Sequence, residues 1–167
     1  QGLFEVQLFH PGFLYEKPVD IHLVEPDGEA RPLPFDTSRF RYDEAVEHLA
    51  ERDFDDLGHA GFRLHYPLNS GEYHDEFMVF LGASYFRMIG RGQGYGLSTR
   101  GLAIDTAEPQ GEEFPAFREF WLVKPEPDAT RMTVMALLDS PSVTGAYRFD
   151  IEPGRQTIVD THARLFA

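Results

Sequence analysis

The residues best suited to chemistry lie between positions 85 and 121: Tyr85, Arg87, Tyr95, Arg100, Asp105, Glu113, Glu119 and Trp121. Aromatic rings there alternate with guanidinium and carboxylate groups, and glycines punctuate the run. A ring covers the apolar face of a pyranose, while Arg, Asp and Glu hydrogen-bond hydroxyls directionally. Tyr85 and Arg87 share a strand face by the two-residue repeat, with Phe86 pointing the other way into a core. Glu119 and Trp121 share a face by the same rule. Trp121, the single tryptophan, reads either as a core anchor or as a stacking platform.

Acid–base work on a glycosidic bond needs two carboxyls about 5–5.5 Å apart for retention or roughly 6.5–9.5 Å apart for inversion. The adjacent pair Glu112-Glu113 cannot supply it, because neighbours on a strand face opposite ways. Asp105 with Glu113 or Glu119, from neighbouring strands, could meet either spacing. The competing reading makes these carboxylates ion-pair partners of Arg100 and Arg118, or rim groups that bond hydroxyls.

Other chemistries find little support. Gly90-Arg-Gly-Gln-Gly-Tyr-Gly96 lacks the Lys-Ser/Thr ending and following helix of a phosphate loop. The seven histidines are dispersed without ligand spacing, so no metal site is expected. Ser84 and Ser98 have no nucleophile-elbow motif around them. No cofactor is called for.

Positioning such residues falls to strands. Alternation predicts strands over 1–9, 13–24, 31–35, 62–66, 76–87, 95–104, 117–123, 132–138, 146–151 and 158–166, separated by turns such as Pro26-Asp-Gly28 and Glu152-Pro-Gly154. One helical pattern stands out, Asp43 to Arg52, with Asp43 as cap and Val46, Leu49 and Ala50 on one face. It is expected to make one or two turns. The fold class is therefore all-β, an antiparallel β-sandwich with at most one or two short helices. No repeat or low-complexity linker divides it, so residues 1–167 form one domain.

Bulk composition agrees. The chain has 167 residues, 14% of them aromatic and 15 of them Phe, which suits wide sheet faces. Its 28 acidic against 15 basic residues give a formal charge of −13, which repels nucleic acid but not a neutral polysaccharide. There is no cysteine, a fact that does not decide the compartment. No signal peptide is expected within residues 1–9, which lack a basic start and a long apolar run. Nor does any run reach the roughly 18 apolar residues of a membrane span.

Specific words in the chain carry a resemblance. They are Asp56-Leu-Gly-His-Ala-Gly-Phe62, Leu81-Gly-Ala-Ser-Tyr-Phe-Arg87, Tyr95-Gly-Leu-Ser98, Arg100-Gly-Leu-Ala-Ile-Asp-Thr-Ala107, Gly111-Glu-Glu-Phe-Pro115, Glu119-Phe-Trp121, Ala136-Leu-Leu-Asp-Ser-Pro141 and Thr144-Gly-Ala-Tyr147. On these the chain resembles, over essentially its whole length, the G and D proteins of osmoregulated periplasmic glucan biosynthesis. Thr99 departs from the family's usual Ala, and His59 stands where Phe is common. The resemblance implies a periplasmic location and a fold similar to the supersandwich of galactose mutarotase. It implies that the chain is the central part of a larger N-terminal domain. It further implies binding and hydrolysis of β-1,2-glucan without a cofactor, the catalytic aspartates lying outside this chain. The alternative is a non-catalytic carbohydrate-binding scaffold assisting a membrane glucan synthase.

Overall fold

In the computed structural model, which describes residues 2–12, 17–49 and 57–167, eleven strands follow one another along the chain. They are β1 (Glu5–Phe9), β2 (Asp20–Val24), β3 (Ala30–Pro32), β4 (Gly61–Tyr66), β5 (Asp75–Leu81), β6 (Tyr85–Met88), β7 (Thr99–Arg100), β8 (Ala116–Val123), β9 (Met132–Asp139), β10 (Thr144–Glu152) and β11 (Ile158–Phe166). One sheet has the order β1-β4-β5-β6-β7, the other β11-β10-β9-β8-β2-β3. The all-β, two-sheet reading holds. One junction is not antiparallel: β2 runs parallel to β8, pairing Asp20 with Glu119 and Val24 with Val123. Parallel partners need a long connection, and here four of the five strands of the first sheet, β4 to β7, lie between them in sequence.

The sheets meet through aromatic rings. Strand β9 buries Met132, Val134, Ala136 and Leu138, and β10 buries Tyr147, Phe149 and Ile151, in strict alternation. Across the interface Phe62 meets Phe120 edge-on at 5.0 Å between centroids, and Phe80 meets Phe149 at 5.3 Å. Edge-to-face packing places the positive rim of one ring on the negative face of another, worth about 0.5–1.5 kcal/mol per pair beyond burial. Strand β5 buries four residues in a row, Phe77 to Phe80. The ladder slips between Leu64 and His65, leaving Phe77 as an extra residue that joins the core beside Phe4 and Tyr66.

Three sequence expectations change. Residues 76–87 are not one strand but the β5–β6 hairpin. Gly82 at φ 76° and Ala83 at φ 43° take the left-handed turn conformations, and Tyr85 N–H donates to the Gly82 carbonyl at 3.0 Å. Of the strand expected over 95–104, only Thr99–Arg100 joins a ladder. The rest is loop apart from an isolated antiparallel bridge of Ile104 to Glu113, and just beyond it the chain turns through Asp105 and Ala107 at positive φ. The helical pattern becomes a 3₁₀ segment, Glu44–Leu49, with Val46 40% exposed rather than packed. Residues 50–52 of that pattern and 13–16 of the second expected strand lie outside the described residues.

Candidate functional site: an aromatic and arginine cleft

A cleft of about 690 Å³ opens between the β5–β6 hairpin, the segment before β8 and the stretch around Pro18 and Val19. Its floor is apolar core: Phe80, Phe86, Phe117 and Phe120. Its wall carries Tyr85, Arg87, Phe114 and Arg118. Each is positioned by a local feature of the chain. Tyr85 and Arg87 alternate with buried Phe86 on β6, so both face away from the core. Phe114 precedes Pro115 in the approach to β8 and stays 54% exposed. Arg118 is the extra residue where the β8–β9 ladder slips, Phe117 pairing with Leu138 and Glu119 with Leu137. That bulge lets Phe117 and Phe120, three residues apart, both enter the core, and it pushes Arg118 out to the cleft rim.

Arginine–ring contacts tie the wall together. The Arg100 guanidinium lies 5.1 Å from the Tyr85 centroid and 5.4 Å from that of Phe114. It is fixed by an ion pair with Glu112, which also accepts from the Thr106 hydroxyl. The Arg87 guanidinium lies 5.1 Å from the Tyr95 ring. Burial, with the nearby Glu76 carboxylate second, holds the Tyr95 phenol far above its ordinary range, so it stays protonated and can donate. Below the cleft wall, Val19 and His59 exchange backbone hydrogen bonds of 2.8 and 3.3 Å. The His59 ring is 1% exposed beside Phe35 and Phe40. Burial above all drives its pKa down to about 4, so it is neutral.

Of the eight residues singled out from sequence, Tyr85 and Arg87 line the cleft, and Tyr95 and Arg100 stack on them from behind. The other four lie elsewhere. Asp105 occupies an exposed left-handed turn. Glu113 accepts from the Ser142 amide at 3.1 Å and its hydroxyl at 2.8 Å, and the hydroxyls of Ser140 and Ser142 hold its carboxyl below the usual range. Glu119 and Trp121 stand on the outer face of the second sheet, opposite buried Phe120 and Leu122. There His22, their neighbour on β2, stacks on the Trp121 ring at 5.3 Å and 12° and donates from Nε2 to Glu119 at 2.6 Å.

The expected ion pairs of Asp105, Glu113 or Glu119 with Arg100 or Arg118 do not form. Arg100 takes Glu112, and Arg118 pairs with no carboxylate among the described residues. Sequence reasoning passed over Phe114 and gave Arg118 only an ion-pair role. A signal for the second was present, since two core phenylalanines at i and i+3 on a strand require a bulge between them.

Fold and cleft together define a two-sheet β-sandwich whose open groove is walled by rings and guanidinium groups. Comparison with known proteins narrows this class. The family model described as "Periplasmic glucan biosynthesis protein, MdoG" matches residues 1–167. The chain is 52% identical over 163 residues to glucans biosynthesis protein G of Vibrio cholerae, covering 98% of this chain and 29% of that protein. It is 53% identical over 163 residues to the same-named protein of Ralstonia nicotianae and 51% to that of Bradyrhizobium diazoefficiens, covering 98% of this chain and 32% of each. The chain belongs to this periplasmic glucan biosynthesis protein family, and it spans about a third or less of the length of these relatives.

Proposed function

We propose that this chain forms part of a periplasmic protein that holds the β-1,2-linked backbone of a glucan in the cleft beside Tyr85 and Phe114. One observation carries the reading: two accessible rings flank arginines at the mouth of a 690 Å³ groove in a member of a glucan biosynthesis family. The rings would cover glucose faces, and Arg87 and Arg118 would bond hydroxyls. In the full-length gene product the same protein hydrolyses the polymer by acid–base catalysis. One carboxylic acid would protonate the departing glycosidic oxygen while a carboxylate activates water. This chain supplies cleft wall rather than that pair, for no carboxylate among the described residues lines the cleft.

Titrating β-1,2-glucooligosaccharides into the full-length gene product tests binding. Tyr85→Ala and Phe114→Ala are each expected to weaken affinity about tenfold, the loss of one stacking contact. Unchanged affinity in both would remove the groove assignment. The carboxylate-free lining also gives weight to a second reading, a binding protein that assists a membrane glucan synthase. Reducing-end release from β-1,2-glucan separates the two: release supports the hydrolase, binding without release the scaffold.

A further inference from the structure

Acidic residues outnumber basic ones nearly two to one in this chain, yet among the described residues every charged one that lines the cleft is basic: Lys17, Arg87 and Arg118. Three cations thus converge on one concavity that no carboxylate among the described residues lines. The pairing pattern adds a second observation. Arg63, Arg100, Arg131 and Arg148 each hold a carboxylate, at 2.7 Å to Glu76, to Glu112, at 2.7 Å to Glu152 and at 2.9 Å to Asp150. Arg87 and Arg118 hold none among the described residues, and Arg87 instead rests on the Tyr95 ring. A ring fixes the plane of a guanidinium while leaving its forked N–H edge free, and that fork matches two oxygens of one oxyanion.

A wholly neutral polymer gives such an arrangement no counter-charge. Bringing unpaired cations together is unfavourable, and apolar walls such as Phe80, Phe86 and Phe114 strengthen the positive field between them. We propose that the cleft receives an oxyanion, carboxylate or phosphate, borne on the saccharide chain. Arg87 and Arg118 clamp the anion, Lys17 adds charge at the rim, and Tyr85 and Phe114 stack on the sugar that carries it. The inference deepens the glucan reading and rests on it.

Three probes test it in the full-length gene product: a β-1,2-glucooligosaccharide, the same oligosaccharide oxidised to a uronate at one C6, and the same phosphorylated at one C6. Calorimetry is expected to show at least tenfold tighter binding for one or both anionic forms, the advantage shrinking as salt rises. Which form gains tells a carboxylate-bearing ligand from a phosphate-bearing one. In the double variant Arg87→Gln/Arg118→Gln the ratio of anionic to neutral affinity should fall to near one, and Arg118→Lys alone should keep part of it. Equal affinity for neutral and anionic forms would overturn the anion clamp and leave the glucan reading standing. An anionic preference that survives the double variant would overturn it too, placing the anion elsewhere. Failure of all three oligosaccharides to bind the wild type would instead overturn the glucan reading, and the clamp with it.

Discussion

His59 shows how one buried side chain sets a pH limit on the cleft. Its ring is 1% exposed and its Nε2 meets no hydrogen-bonding partner among the described residues, so protonation in place would bury an uncompensated charge. The folded pKa of about 4 lies below the ordinary 6.5, so the unfolded chain binds the proton more readily. Stability is therefore complete above about pH 6.5 and is lost as pH falls toward 4, by up to about 3 kcal/mol. His59→Phe removes the titrating group. Urea midpoints measured between pH 4 and 7.5 should shift in favour of the variant as pH falls, because only the wild type loses stability to protonation at this site. A difference between them that does not vary with pH would sink this account.

Arg100 sits at the same scale with another role. It joins Glu112 behind two cleft rings, both partners being largely shielded from solvent. Arg100→Met should cost about 1–3 kcal/mol by leaving Glu112 with only the Thr106 hydroxyl. It should also weaken oligosaccharide binding by freeing Tyr85 and Phe114. Glu112→Gln keeps a partner for Arg100 and is expected to do less harm on both counts.

At the scale of elements, the cleft depends on how closely β4 approaches β5. Gly61 pairs with Leu81 at φ 151°, and a Cβ built there would lie 2.2 Å from the Phe80 carbonyl oxygen. No rotamer change relieves a clash with backbone. Gly61→Ala should therefore cost roughly 2 kcal/mol or more, seen as a fall in the urea midpoint without change in slope. A midpoint within experimental error of wild type would show that the strands can part there freely. The same spacing brings Ala60 and Gly61 to the cleft, so affinity should fall in parallel.

Across the whole molecule, Phe80 links the two sheets. Its ring contacts Phe62 and Phe86 in its own sheet and Phe117, Phe120 and Phe149 in the other, at 5.0–6.4 Å. Phe80→Ala leaves a cavity between sheets and should cost about 3–5 kcal/mol. Because the core is continuous, hydrogen exchange of β9 and β10 amides should speed up together with that of β4 and β5. Acceleration confined to the first sheet would show that the sheets open separately.

Local chemistry made much of this legible beforehand. The alternation in β9 and β10 announces half-buried strands, and Pro26-Asp-Gly28 announces the turn of the β2–β3 hairpin, because period and turn residues act over a few positions. The pairing of Tyr85 with Arg87 opposite Phe86 was legible for the same reason, and the family words fixed the membership that the comparisons bear out. Other features depend on partners far away in sequence. The parallel seam of β2 on β8 joins residues about a hundred positions apart, and it alone puts His22 against Trp121 and Glu119 on the face away from the cleft. Likewise, whether Arg100 meets Glu112 or Glu113, and whether Arg118 meets any carboxylate, follows from a loop path and a bulge. Sequence thus determined which residues make strands and which families of contact they favour. Tertiary structure decided which side chains share a surface, because sheet register is set by distant strands that no local pattern names.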